Sequence, residues 1–229
     1  MKNSYADIIE SYVKEIKEKL KDNLEMVYII GSSATKDIVI NWSDIDTIIV
    51  LKKYNYHDIE TIKKVSNSYE VKIGNTLYSK KELENKIIDS KTYYYLYLYH
   101  HKVLDISYLN EDLIIPKITF EECVLATKII LFNDLHNIKR LLTYDNLSNA
   151  QIKTMFKKIY VIMKSILIIA GKQPKNYKQT FEMFSKEFNY EYFDYLKFIY
   201  DFRNDNICID YMRKYSYDLI VYVTNMNLN

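Results

Sequence analysis

Between Ser4 and Lys21 the apolar residues Ile8, Ile9, Tyr12, Val13, Ile16 and Leu20 recur every three or four positions, with Lys and Glu between them. That is the period of an amphipathic helix, and Ser4 followed by Asp7 gives it a capping signal. The pattern then shortens. Glu25 to Ile30 reads as a strand ending at Gly31, Ser32 to Lys36 as the opening of a short helix, and Ile45 to Leu51 as a β-branched strand. His57 to Val65 returns to helical spacing, and Ser68 to Tyr78 to strand-like alternation. Ser79 and Glu82 form a capping box for a helix through Ile88. The tyrosine run Tyr93 to Tyr99 fits helix and strand equally, and Lys102 to Tyr108 reads as a further short strand.

From Phe120 the pattern is helical almost throughout. Phe120 to Leu142 is one long candidate. Ala150 to Ala170 is a second, capped by Ser148 with Gln151 and stopped by Gly171 with Pro174 beyond. Gln179 to Phe188, Glu191 to Asn204 and Tyr211 to Asn225 are shorter candidates. Pro116, within Leu113 to Ile118, breaks the pattern between the halves. The expectation is an α+β chain: a mixed domain over residues 1–115 and a helical domain over 116–229.

The 229 residues are enough for a sizeable core, and 48% apolar with 27% charged residues excludes a disordered chain. A net charge of +2 gives no whole-chain reason to expect nucleic acid or an anionic membrane as partner. No run of about 18 apolar residues exists, and the N-terminus lacks the apolar core of a signal peptide, so a cytoplasmic protein is expected. Cys123 and Cys208 are isolated and propose neither disulfide nor metal site. His57, His100, His101 and His136 lack ligand partners at metal spacing and read as structural or surface residues. The aromatic stretch Tyr190 to Phe202 reads as bundle core, and Lys157-Lys158 as a solvated helix face.

The chemistry concentrates in residues 31–50, GSSATKDIVINWSDIDTIIV. The two-residue period of a strand puts Asp44 and Asp46 on one face. Two carboxylates so close repel unless a cation lies between them. Mg2+ answers this, because it takes one or two carboxylates together with substrate phosphates. Gly31 lets the chain turn sharply at the strand end, and Ser32 and Ser33 then open a helix whose N–H groups suit phosphate. Ser43 beside the acidic pair is a further candidate for phosphate or metal-linked oxygen. A third carboxylate would accept a proton from an attacking hydroxyl or share a second ion. Glu70, on the next strand-like segment, is the first candidate and Asp105 the second.

An apolar–Gly–Ser turn, eleven residues, then Asp–apolar–Asp–apolar resembles the DNA polymerase β-like nucleotidyltransferase superfamily. Within it, YEVKI resembles the strand of bacterial antibiotic adenylyltransferases that carries the third acid, here Glu70. The resemblance implies a domain with a small mixed sheet flanked by helices, followed by a C-terminal helical bundle that closes over nucleotide and acceptor. It implies Mg2+ and ATP, with AMP transferred to a hydroxyl of a small acceptor of the aminoglycoside type. Lys178, shortly after the Gly171 turn, is the nearest match to the basic residue that reaches the nucleotide phosphates in streptomycin/spectinomycin-type enzymes. The Arg that often follows the family's Gly-Ser turn is missing here, where Lys36 is the nearby base.

Two rival readings follow from the same residues: a nucleotidyltransferase that modifies a partner protein, as antitoxins of this fold do, and a non-catalytic nucleotide-binding module. FRNDNIC, residues 202–208, resembles the start of a HEPN-type ribonuclease site, but Cys208 stands where that site needs a histidine.

Overall fold

The computed structural model describes residues 4–35, 37–38, 43–188 and 209–226. The chain divides into two compact units, Met1–Cys123 and Val124–Asn229.

The first unit opens with α1 (Tyr5–Leu20), whose capping box joins Ser4 and Asp7 and whose inner face buries Tyr12, Ile16 and Leu20. A 3-10 turn leads into β1 (Leu24–Ile30), buried along its whole length. Then come α2 (Ser32–Thr35), β2 (Ile45–Leu51), α3 (Tyr56–Asn67), β3 (Ile73–Ser79), α4 (Lys80–Glu84), α5 (Ser90–His100) and β4 (Tyr108–Leu109). The sheet order is β3-β2-β1-β4, with β1 antiparallel to β2 and β4 and with β2 parallel to β3. A parallel neighbour requires a crossover, and α3 supplies it.

Alternation along the strands divides the core in two. Val27, Ile29, Ile45, Ile49 and Leu51 pack with Tyr12, Ile16, Ile62 and Val65 of α1 and α3. Tyr28 faces the other way, against α5, where its ring meets Tyr95 edge-on with centroids 6.3 Å apart. A hydrogen-bonded cluster runs through the first face. The Tyr12 hydroxyl (2.6 Å) and the Thr47 hydroxyl (2.7 Å) both donate to Asn75 Oδ1. Asn75 Nδ2 donates to Ser66 Oγ at 2.7 Å. Burial raises the Tyr12 hydroxyl pKa to about 12, so it remains a donor.

Two strand expectations change, and one open segment is decided. The strand expected over Ser68–Tyr78 begins only at Ile73, because β2, its ladder partner, begins at Ile45, which pairs with Ile73. Ser68 to Val71 form a turn and bend that carry Glu70 exposed to solvent. The strand expected over Lys102–Tyr108 shrinks to Tyr108–Leu109, whose partners on β1 are Val27 and Met26. The tyrosine run is a helix. Asp89 caps it by accepting from the Thr92 N–H at 2.7 Å, and Thr92 and Tyr94 through Leu98 are all buried. A helix buried on every side has no polar stripe, which is why its periodicity is ambiguous.

In the second unit, α6 (Phe120–Leu142) starts within the preceding unit and continues here. It is followed by α7 (Asn149–Ile169), α8 (Tyr177–Phe188) and α9 (Ile209–Asn225). Ser148 and Gln151 form the capping box of α7. Gly171, at φ +78°, ends it, with the Lys172 N–H donating to the Leu167 carbonyl at 2.8 Å. Lys158 and Asp134 form an ion pair in this unit. Among the described residues no helix is long and apolar enough to cross a membrane. Trp42, Lys36 and the segments 190–202 and 202–208 lie outside the described residues, as does Cys208; Cys123 is buried.

Candidate active site

β1 and β2 run side by side, so the end of one meets the start of the other. Ile30, the last residue of β1, pairs with Asp46. Gly31 follows at φ +71°, a left-handed conformation that side-chain-bearing residues rarely adopt, and turns the chain into the single helical turn α2. The Thr35 N–H donates to the Gly31 carbonyl at 3.3 Å, and the Asp37 N–H to the Ser32 carbonyl at 3.0 Å. Ser33 is buried, and its hydroxyl donates to the Asp44 carbonyl at 3.4 Å. Ser32 is part-exposed at the turn itself.

Asp44 immediately precedes β2 and Asp46 is its second residue; both are half-buried, while Ile45 between them is fully buried. Asp46 has a seat made of two glycines. A Cβ on Gly31 would lie 3.2 Å from Asp46 Oδ2, and one on Gly74 would lie 3.3 Å from Oδ1. Gly74 is the parallel-ladder partner of Asp46. Thus two of the three glycines in the chain leave room for one carboxylate.

That carboxylate already faces a cation. Lys91 Nζ donates to Asp46 Oδ2 at 3.4 Å, with the two side chains 47% and 37% exposed. Lys91 sits in the first turn of α5. Tyr95, one turn on, is buried, and its hydroxyl oxygen accepts the Gly31 N–H at 3.1 Å. The Tyr28 hydroxyl donates to the Tyr95 carbonyl at 3.0 Å. Helix α5 is therefore tied to the glycine turn and to β1. Burial would lower the Lys91 pKa, but Tyr95 and Asp46 outweigh it and hold the ammonium above the ordinary lysine value. Burial raises the Tyr95 hydroxyl; Lys91 opposes this and Asp46 adds to it, so the group stays neutral.

The other candidates are placed as follows. Ser43 precedes Asp44, and its carbonyl accepts from the Tyr5 hydroxyl at 2.9 Å. Burial, then the Asp44 charge, raises the Tyr5 pKa. Glu70 stands in the exposed bend ahead of β3. Asp105 is exposed ahead of β4, close enough to raise the pKa of Tyr28, after burial and Tyr95. Lys178, on α8 in the second unit, is 78% exposed and lies 3.9 Å from Glu182. The structure thus brings together Gly31, Ser32, Ser33, Asp44 and Asp46. Among the described residues it gathers no group of three His, Cys, Asp or Glu disposed to hold a metal ion.

Lys91, Tyr95 and Gly74 escaped the sequence reading. Asp89 with Thr92 three residues on was a legible helix start. The pairing of Gly74 with Asp46 depends on strand register and left no local signal.

The family model for the nucleotidyltransferase domain matches residues 9–134. Among solved structures, the crystal structure of spectinomycin adenyltransferase AAD(9) from Enterococcus faecialis with ATP and spectinomycin has a TM-score of 0.66 to this chain. The match covers 97% of this chain and 100% of that one at 18% sequence identity, a likeness of fold. No curated protein matches the sequence significantly.

Proposed function

The chain belongs to the nucleotidyltransferase domain family, and we propose that it transfers AMP from ATP, with Mg2+, to a hydroxyl of a small acceptor of the aminoglycoside type. The observation that carries this reading is the seat of Asp46. Its carboxylate lies against the Gly31 turn and faces a cation, Lys91, at 3.4 Å. An acid in that position, with Asp44 two residues away and a serine turn alongside, suits a hard cation that also binds phosphate.

The donor set fits Mg2+, which takes oxygen ligands and commonly shares them between one or two carboxylates and substrate phosphates. Asp44 and Asp46 would hold it. When bound, it supplies positive charge to the phosphoryl group being transferred and to the departing pyrophosphate. The Gly31–Ser32 turn binds phosphate oxygens, while Ser33 and Ser43 hold the turn and the β2 entry in register. Glu70 accepts the proton of the acceptor hydroxyl. Lys178 is the second unit's candidate for a nucleotide phosphate. The AAD(9) enzyme, similar in fold, crystallised with ATP and spectinomycin, which supports ATP and an aminoglycoside-type acceptor here. ATP with Mg2+ suits a cytoplasmic enzyme.

The test is incubation with labelled ATP, Mg2+ and a panel including spectinomycin and streptomycin. Pyrophosphate release with label on one antibiotic is expected. Label on a protein would instead establish the partner-modifying reading, and nucleotide binding without release a non-catalytic module. Asp44→Asn and Asp46→Asn should each lower transfer by at least about a thousandfold. The fold should survive, because an exposed pair such as Asp46–Lys91 contributes only about 0.2–1 kcal/mol.

A further inference from the structure

We propose that Lys91 is the lysine that binds the polyphosphate tail of the nucleotide, held on Asp46 until the metal–nucleotide arrives. The proposal rests on the reading above and adds a residue to it.

Three observations carry it. First, Lys91 Nζ and the Gly31 turn approach the same atom, Asp46 Oδ2, at 3.4 Å and, for a Cβ on Gly31, 3.2 Å. A phosphate seated on that turn and linked to a cation on Asp46 is within reach of the same ammonium. Second, the base of Lys91 is fixed while its side chain reaches partly into solvent. The Asp89 N–H donates to the Tyr78 hydroxyl at 3.0 Å, and Tyr95 accepts from Gly31, so α5 is pinned on both sides of Lys91. The side chain itself is 47% exposed. Third, its bond to Asp46 is long for a charge-assisted contact and half-exposed, the kind of pair that a divalent ion displaces easily. Displacement frees an ammonium next to the anion that comes with the metal. Asp46 is neutralised before the nucleotide arrives, and Lys91 finds a new partner when the metal takes its place.

The experiment uses full-length Lys91→Met and Lys91→Arg proteins. Binding of ATP with Mg2+ and of AMP is measured by calorimetry. Binding of Mn2+ alone is followed by its paramagnetic resonance signal. Lys91→Met should weaken ATP binding by at least about tenfold, the scale of one charge-assisted hydrogen bond, with AMP affinity unchanged. The same variant should bind Mn2+ alone several-fold more tightly, because a competitor for Asp46 has gone. Lys91→Arg should retain ATP affinity within a few-fold. A merely structural lysine would not move the two affinities in opposite directions. If wild-type protein binds ATP and Lys91→Met binds it equally well, the proposal fails and the function stands. If wild-type protein binds no nucleotide, both fail. Should Lys91→Met not fold, equal ATP affinities in Lys91→Arg and Lys91→Gln would overturn the proposal.

Discussion

Gly74 lies beside Asp46 on the neighbouring parallel strand, and a methyl group on it would stand 3.3 Å from the carboxylate oxygen Oδ1. The residue contributes no chemistry of its own. It contributes the space in which an acid takes one orientation.

Gly74→Ala should therefore separate activity from stability. The crowded atom is the end of a half-exposed side chain, which can yield by a few tenths of an ångström. Stability should change by less than about 1 kcal/mol. Turnover should fall by about tenfold or more, because small misplacements of a catalytic group are costly. Gly31→Ala crowds the other oxygen and also places a side chain at φ +71°, so it should lose stability as well as activity. Chemical denaturation beside steady-state rates checks both. An active Gly74→Ala would show that the orientation of Asp46 is not critical.

Tyr95→Phe removes the acceptor of the Gly31 N–H. An amide left without a partner in a part-buried position costs about 1–3 kcal/mol. The melting temperature should drop and ATP binding weaken together, since the same bond fixes the turn. Tyr28→Phe breaks a bond to the Tyr95 carbonyl and leaves the turn's own hydrogen bond in place. It should destabilise while sparing ATP affinity.

Glu70→Gln should depress the turnover number without weakening ATP binding, while Asp105→Asn should be nearly silent. Both residues are exposed, so neither substitution should threaten the fold. Single-turnover rates with saturating ATP distinguish them. The opposite pattern would move the proton-accepting role to the segment before β4.

The acid limit of stability should depend in part on Glu82. Its carboxylate accepts the Ser79 N–H at 2.7 Å, and that bond holds its pKa below the ordinary glutamate value of 4.5. A carboxyl group more acidic when folded than when unfolded stabilises the fold above the unfolded value. That contribution disappears as the pH falls from 4.5 through the lower folded value. Glu82→Gln should flatten the decline in this range. Denaturation midpoints of the two proteins from pH 7 to about pH 3 check it.

What was legible in the sequence was what the local backbone dictates. Capping residues at Ser4, Ser79 and Ser148 marked helix starts. The glycine turn announced itself as a break after a buried strand. Gly74 was hidden because parallel pairing of β2 with β3 sets its neighbour, and α3 separates those strands in the chain. Lys91 and Tyr95 were hidden because α5 is buried around its circumference and shows no stripe. Glu70 was read onto a strand, whereas the structure puts it in the bend ahead of Ile73, where β3 begins.

The residues flanking the site bear on its readiness. Thr47 follows Asp46, Asn75 follows Gly74, and both belong to the hydrogen-bonded cluster with Tyr12 and Ser66. Behind the acid, then, lies a knot joining two strands to two helices. Its ordering is complete when the chain folds, so aligning this acid need not subtract from the affinity of each arriving substrate. A loosened knot would show itself first as slower catalysis in a protein that still looks native.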